Sequence, residues 1–193
     1  MSTIMRMVHS CKNHHELTNQ AYSKTTKLVL GSLLGALAAI LQSAGLFAGV
    51  GYIFSTITTG PIILATIISI RIGILTYVLT TLLLVIIQPT EVLVFLFTTG
   101  LLGVGLGIAF KLLKKGILVT LMGGITLSLG IFALLYIFQF PILGPSVTSK
   151  VSGTVILGTL VLSILYSWIW MRLCMIGMRH LNRFIFRNAR FEE

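Results

Sequence analysis

Glu91 is the one acidic side chain between Glu16 and Glu192, and the chain contains no aspartate. It follows the polar turn Gln88-Pro89-Thr90 and opens the apolar run "VLVFLFTTGLLGVGLG". A lone carboxylate can accept hydrogen bonds, balance a cation or complement a helix dipole. It cannot perform paired-carboxylate acid–base chemistry or build a carboxylate-rich metal site. The other titratable residues add little. "HSCKNHHE" holds His9, Cys11, His14, His15 and Glu16, all metal-ligand types, but their spacing fits no closed zinc pattern, and the stretch reads as a polar tail. His180 is the remaining histidine. No HExxH or Walker A motif occurs, so the chain hydrolyses neither peptides nor ATP by those routes. We expect no catalytic residues, no resident metal and no cofactor. Proton-coupled transport calls for buried titratable groups, and one carboxylate at the edge of an apolar run supports it thinly.

The elements that position Glu91 follow from hydropathy. The chain has 193 residues, of which 56% are hydrophobic and 9% charged, with mean hydropathy +1.03. Too little polar surface remains to cover a water-facing domain. A spanning helix needs about 20 apolar residues, and six such segments can be drawn. They are Leu28–Phe47, Tyr52–Ile70 (interrupted by Gly60-Pro61), Ile72–Ile87, Val92–Phe110, Gly116–Phe138 and Gly153–Met171. "ILTYVLTTLLLVII" does not alternate as a barrel strand does. The expected fold is all-α: a six-helix membrane domain over residues 28–171, a polar basic tail over 1–27 and a basic amphipathic segment over 172–193. Residues 1–27 lack the apolar core of a cleavable signal peptide, so the first span is expected to be retained.

Charge supplies the orientation. With six spans and a cytoplasmic N-terminus, 13 of the 14 basic residues fall on the cytoplasmic side, and Lys150 alone falls outside. A five-span alternative runs one helix from Pro61 to Ile87 and makes residues 43–60 a re-entrant loop. It places Arg71 near the bilayer centre, at about 2.5–3.5 kcal/mol. Six spans with both termini inside fit better. Trp168 and Trp170 then belong to the inner interfacial belt. Cys11 and Cys174 both lie on the reducing side, so no disulfide is expected. The net charge of +10 is scattered at span ends, which argues against a nucleic-acid footprint.

Three patterns have two readings each. Gly31, Gly35 and Ala39 recur every fourth residue on one face of the first span, a spacing that lets another backbone approach. That helix belongs either to this chain or to a partner subunit. Gly100, Gly103, Gly105 and Gly107 thin the fourth span, for tight packing or for room beside a solute, and Thr98 and Thr99 add hydroxyls there. Glu91 either supports the start of a helix capped by Thr90, worth about 0.3–1 kcal/mol, or contacts a ligand. The arginines 172, 179, 183, 187 and 190 largely share one face, suited to anionic lipid or to a cytoplasmic partner.

The small-xxx-small first span, "QSAGLFAGVGY", the proline in the second span, "QPTE" and "TTGLLGVGLG" together resemble the S components of energy-coupling factor (ECF) vitamin transporters. The likeness covers about residues 25–175. It departs from the family's Ala-xxx-Ala motif by glycine at positions 31 and 35. The resemblance implies a substrate-capture subunit that binds a vitamin-like micronutrient from outside. A T-type transmembrane subunit and cytoplasmic ATPases then drive release inwards. It implies a prokaryotic plasma membrane, docking through Gly31, Gly35 and Ala39, and a solute site near Tyr52, Glu91, Thr98, Tyr136 and Gln139. The contrasting reading is a non-transporting membrane scaffold or regulator that acts through the basic C-terminus.

Overall fold

A computed structural model describes residues 23–46, 50–138 and 153–188. All regular structure among them is helical. Helix α1 spans Lys24–Ser43 and runs into a tight turn at Ala44–Leu46. Helices α2 (Val50–Ile57) and α3 (Thr59–Ile68) follow, then α4 (Ile70–Ile87). Helix α5 is Pro89–Leu112, α6 is Gly116–Ile137 and α7 is Gly153–Asn188. Among the described residues, α1, α4, α5, α6 and the Gly153–Gly177 part of α7 are long and apolar enough to cross a membrane. Ile53–Ile68 is a shorter apolar stretch.

Each boundary has a local cause. Ser23 caps α1, its hydroxyl accepting from Thr26 N–H at 3.2 Å. Proline is tolerated in the first turn of a helix, where its missing N–H has no partner to lose. Pro61 therefore lies inside the start of α3, and the break falls ahead of it at Thr58, not at Gly60-Pro61. Ser69 is extended (φ −158°, ψ 139°) and separates α3 from α4. No continuous helix runs from Pro61 to Ile87, and Arg71 sits in the first turn of α4. Gln88 breaks the chain again before Pro89. No such break exists at Met171. Helix α7 passes through it and continues to Asn188, 36 residues in all. At 1.5 Å per residue that is about 54 Å, longer than a hydrocarbon core of about 30 Å.

Two helices carry a wide turn in which an N–H reaches back five residues. In α5 it covers Phe95–Thr99, with Gly100 N–H on Phe95 C=O, and in α6 it covers Ala133–Ile137, with Phe138 N–H on Ala133 C=O at 3.2 Å.

Close contacts fix the relative directions. Gly31 lies on Ile72 and Thr76 while Gly35 lies on Leu79 and Thr80, so α1 and α4 run parallel. Gly103 meets Ile62 and Gly107 meets Thr66, so α3 and α5 run parallel. Gly130 meets Phe97 while Gly123 meets Leu106, so α5 and α6 are antiparallel. Helix α7 returns antiparallel to α6, with Ser167 donating to Thr120 C=O at 2.9 Å and Gly124 on Ile164.

The interior has two apolar centres that share α5. Ala38, Ile62, Leu84 and Phe95 join α1, α3, α4 and α5. Ile63, Leu102, Leu106, Val119, Leu127, Ile131 and Met171 join α3, α5, α6 and α7. Apolar side chains also cover the outside: Leu33, Ile40, Ile86 and Ile117 are exposed, as lipid-facing residues are.

The tightest approach predicts a paired outcome. A Cβ at Gly130 would overlap the carbonyl of Phe97, which is backbone and cannot rotate away, whereas a Cβ at Gly158 meets nothing within 4 Å. Gly130→Ala is expected to lower the thermal midpoint in detergent by an overpacking cost of about 1–3 kcal/mol. Gly158→Ala is expected to leave it unchanged or raise it, because alanine is the better helix former. Equal midpoints for the two variants would contradict this packing.

Candidate functional site

The candidate site grows out of one face of α1. Gly31, Gly35, Ala38, Ala39 and Gln42 are its buried residues, a stripe of helical period. Bare backbone at the glycines exposes their carbonyls to α4. Thr76 Oγ1 donates to Gly31 C=O at 3.0 Å, and Thr80 Oγ1 to Gly35 C=O at 3.1 Å. The stripe expected to dock a partner is thus seated on α4 of the same chain, which fits the packing reading of Gly31, Gly35 and Ala39.

Gln42 ends the stripe and is fully buried. Its Nε2 donates to Ser55 Oγ of α2 at 2.8 Å and to Glu91 Oε2 of α5 at 2.9 Å. Its Oε1 accepts from Thr99 Oγ1 at 3.0 Å. An ionised carboxylate can only accept, so the amide nitrogen must face Glu91 and the amide oxygen must face Thr99. One amide therefore ties α1 to α2 and to two points of α5, Glu91 in its first turn and Thr99 at the end of the wide turn. Ser55 and Thr99 are buried, and Glu91 is half-buried.

Glu91 occupies the first turn of α5. The cap position is Gln88, not Thr90, and no side chain caps it. Thr90 instead bonds to the Gln88 amide, Nε2 to Oγ1 at 3.0 Å, while Glu91 N–H donates to Gln88 C=O at 3.1 Å. The carboxylate turns toward α1 and lies over Gly45, where a Cβ would stand 3.1 Å from Oε1. Oε2 is held by the Gln42 amide, a neutral donor. The Glu91 carboxylate is held in place by this bond, whose donor carries no charge.

The other expected site residues separate. Thr98 is buried and its hydroxyl bonds back to Val94 C=O, so it is spent on its own helix. Tyr136 lies on the other apolar centre, its ring 6.1 Å from that of Phe132. Gln139, Lys150 and the His/Cys-rich tail lie outside the described residues, as do the side chains of Tyr52 and the arginines 179, 183, 187 and 190. Arg172 is described and stacks over Trp168 at 5.3 Å.

A second polar patch marks the α2–α3 break. Thr58 and Thr59 are fully buried, and among the described residues no hydrogen-bond partner meets the geometry for their hydroxyls. Tyr166 of α7 reaches across to Thr56 C=O at 3.4 Å, and the Trp170 ring covers Gly60.

Sequence reasoning singled out Glu91 but missed Gln42 and Ser55 and gave Thr98 the place that Thr99 holds. The signal for Gln42 was present. It is the one large polar side chain of the first span, and it falls 11, 7 and 3 residues after Gly31, Gly35 and Ala39, on the same face.

Compared with known proteins, the chain matches no family model, no curated protein and no solved structure.

Gln42→Leu keeps the approximate volume and removes all three bonds. Leaving buried partners unsatisfied costs about 1–3 kcal/mol. The expected result is a lowered thermal midpoint, with Gln42→Glu also destabilising because it sets a second carboxylate against Glu91. A midpoint unchanged in both variants would mean the amide does not hold these helices together.

Proposed function

We propose that this chain is the solute-capturing subunit of a membrane importer, and that its solute docks against Glu91. The observation that carries this reading is the fixed carboxylate: Gln42, itself buried, holds one oxygen of Glu91 with a neutral amide. A carboxylate so held is oriented toward an arriving cation or N–H donor at no further ordering cost. The solute is accordingly a small molecule that carries a protonated amine, a cationic ring or a set of N–H donors.

In this reading the chain makes six passes, with Val50–Ile68 as the second, and both termini are cytoplasmic. The parallel pairing of α1 with α4 and of α3 with α5 supports it, since alternating passes require that pairing. Lys24, Lys27, Arg71, Lys111, Lys114 and Lys115 then share the inner side, and Glu91 faces outward. The membrane is the plasma membrane of a prokaryote, and energy comes from separate subunits, because the chain carries no nucleotide-binding motif. The ECF S component is the arrangement that matches this division of labour. Its T-type subunit and ATPases would dock elsewhere than on the Gly31/Gly35 stripe, which α4 covers.

Two measurements test the proposal. Native mass spectrometry of the protein purified gently from its host is expected to show a co-purifying small cation or N–H-rich solute, with Glu91→Gln weakening its binding about 10- to 100-fold, the worth of a charge-assisted hydrogen bond of about 1.5–3 kcal/mol. Unchanged affinity in a folded Glu91→Gln protein would refute the site. For Gly35→Leu, the covered stripe predicts loss of solute binding together with uptake. Loss of uptake alone would return that face to partner docking.

A further inference from the structure

The α2–α3 break leaves polar groups poorly matched inside the apolar bundle, and Pro61 is its cause. Proline has no N–H, so the carbonyl of Ile57, four residues earlier, loses the donor that a regular helix would give it. The backbone path hardly changes. Thr58 keeps helical angles (φ −52°, ψ −29°), and its N–H reaches back three residues to Ser55 C=O at 3.3 Å. The break is thus one of bonding and not of direction. Thr58 and Thr59 stand at it, both fully buried. Thr66, two turns further on, spends its hydroxyl on Ile62 C=O of its own helix. For Thr58 and Thr59 no partner meets the geometry among the described residues, and the Thr58 side chain does not cap α3. Helix α7 closes the break from one side. Tyr166 OH reaches Thr56 C=O at 3.4 Å, long for a bond between two oxygens. Thr59 lies one turn after Thr56 on the same face, which sets its hydroxyl beside the Tyr166 phenol without a well-formed bond between them. The Trp170 ring lies 3.3 Å from where a Cβ of Gly60 would stand and covers the next position.

These groups have one chemistry in common. Hydroxyls donate and accept, carbonyls only accept, and none of them is charged. A ligand that completes the set is small, neutral and able both to donate and to accept. A metal cation would lack a counter-charge, because Glu91, the only carboxylate side chain among the described residues, is bonded to the Gln42 amide instead. Burying an uncompensated charge is costly. We propose that the α2–α3 break is a binding site for buried water, with the Thr58 and Thr59 hydroxyls, the Tyr166 phenol and the Ile57 carbonyl as its polar lining. A buried water typically makes about three hydrogen bonds to such groups. Here it supplies the donor that Pro61 removes and ties the Val50–Ile68 segment to α7 through Tyr166. The site follows from the packing of α2, α3 and α7 and does not rest on the solute reading.

The experiment exposes the full-length protein in detergent to brief X-ray radiolysis and reads tyrosine oxidation by mass spectrometry. Radicals formed from a bound water attack the side chain beside it. Tyr77 is the internal comparison, because it is also half-buried but its hydroxyl is bonded to Leu96 C=O at 2.9 Å. Tyr166 is expected to be oxidised several-fold faster than Tyr77, and equal rates overturn the proposal. Thr58→Val and Thr59→Val test the same site by the sign of a stability change, since valine keeps the shape and removes the hydroxyl. If the hydroxyls bind water, each variant is expected to lower the thermal midpoint by about 2–4 °C. If they are buried without a partner, valine removes a cost and raises the midpoint, which overturns the proposal. A midpoint of the unaltered protein that rises when sodium or potassium replaces choline at equal ionic strength overturns it too, in favour of a cation site. Should the valine variants not fold, the radiolysis and the salt comparison on the unaltered protein decide alone.

Discussion

Hydrocarbon supplies no hydrogen bonds, so a polar group inside an apolar bundle is costly unless it finds its partner in the chain itself. Most hydroxyls here do so at home. Thr66, Thr81, Thr126, Ser128 and Thr159 each donate to the carbonyl four residues earlier in their own helix. A hydroxyl crosses to another helix where small residues bring the two axes close, as Thr76 does to Gly31 and Ser167 to Thr120 beside Gly123. Gln42 is the extreme case, because an amide needs partners on both its nitrogen and its oxygen. Two other helices must converge on it, and once they do, the positions of Glu91, Ser55 and Thr99 are no longer independent. Glycine stripe and amide act in sequence along α1: the first sets the distance to α4, the second sets what α2 and α5 present at the far end.

Much of the helix layout was legible in the sequence because solvent and helix length are coupled in a membrane. Ile72–Ile87 and Gly116–Phe138 were placed within two residues of α4 and α6. The errors lie where hydropathy and hydrogen bonding diverge. Leu28–Phe47 starts four residues after α1 does, because the helix begins at its Ser23 cap and not at the first leucine. The expected end at Met171 follows a change of polarity, yet a helix ends where its backbone bonds end, and nothing between Met171 and Arg172 interrupts them. The second segment was read as broken at its proline, while the actual discontinuity precedes it, since proline suits the opening turn of the next helix.

The candidate site was half legible. A solitary carboxylate announces itself in a sequence with no other, so Glu91 was found by subtraction. Its partner was not, because Gln42 matters through the face it occupies, and that face is identified by the small residues below it. Choosing between Thr98 and Thr99 was harder. Neighbours on a helix point about 100° apart, and which of them turns inward depends on the phase of the helix at that point.

That phase is disturbed by the wide turn at Phe95–Thr99. Five residues there do the work of about four, so a single helical wheel drawn from Pro89 to Leu112 describes either its first six residues or its last thirteen, never both together. The extra residue behaves like a spacer washer inserted in a threaded rod: it leaves the length almost unchanged and rotates one end against the other. Its practical meaning is that Glu91 can look toward α1 while Gly103 and Gly107 look toward α3. Removing one residue from this turn would convert it to an ordinary α-helix and swing the carboxylate about a quarter of a circle away from Gln42.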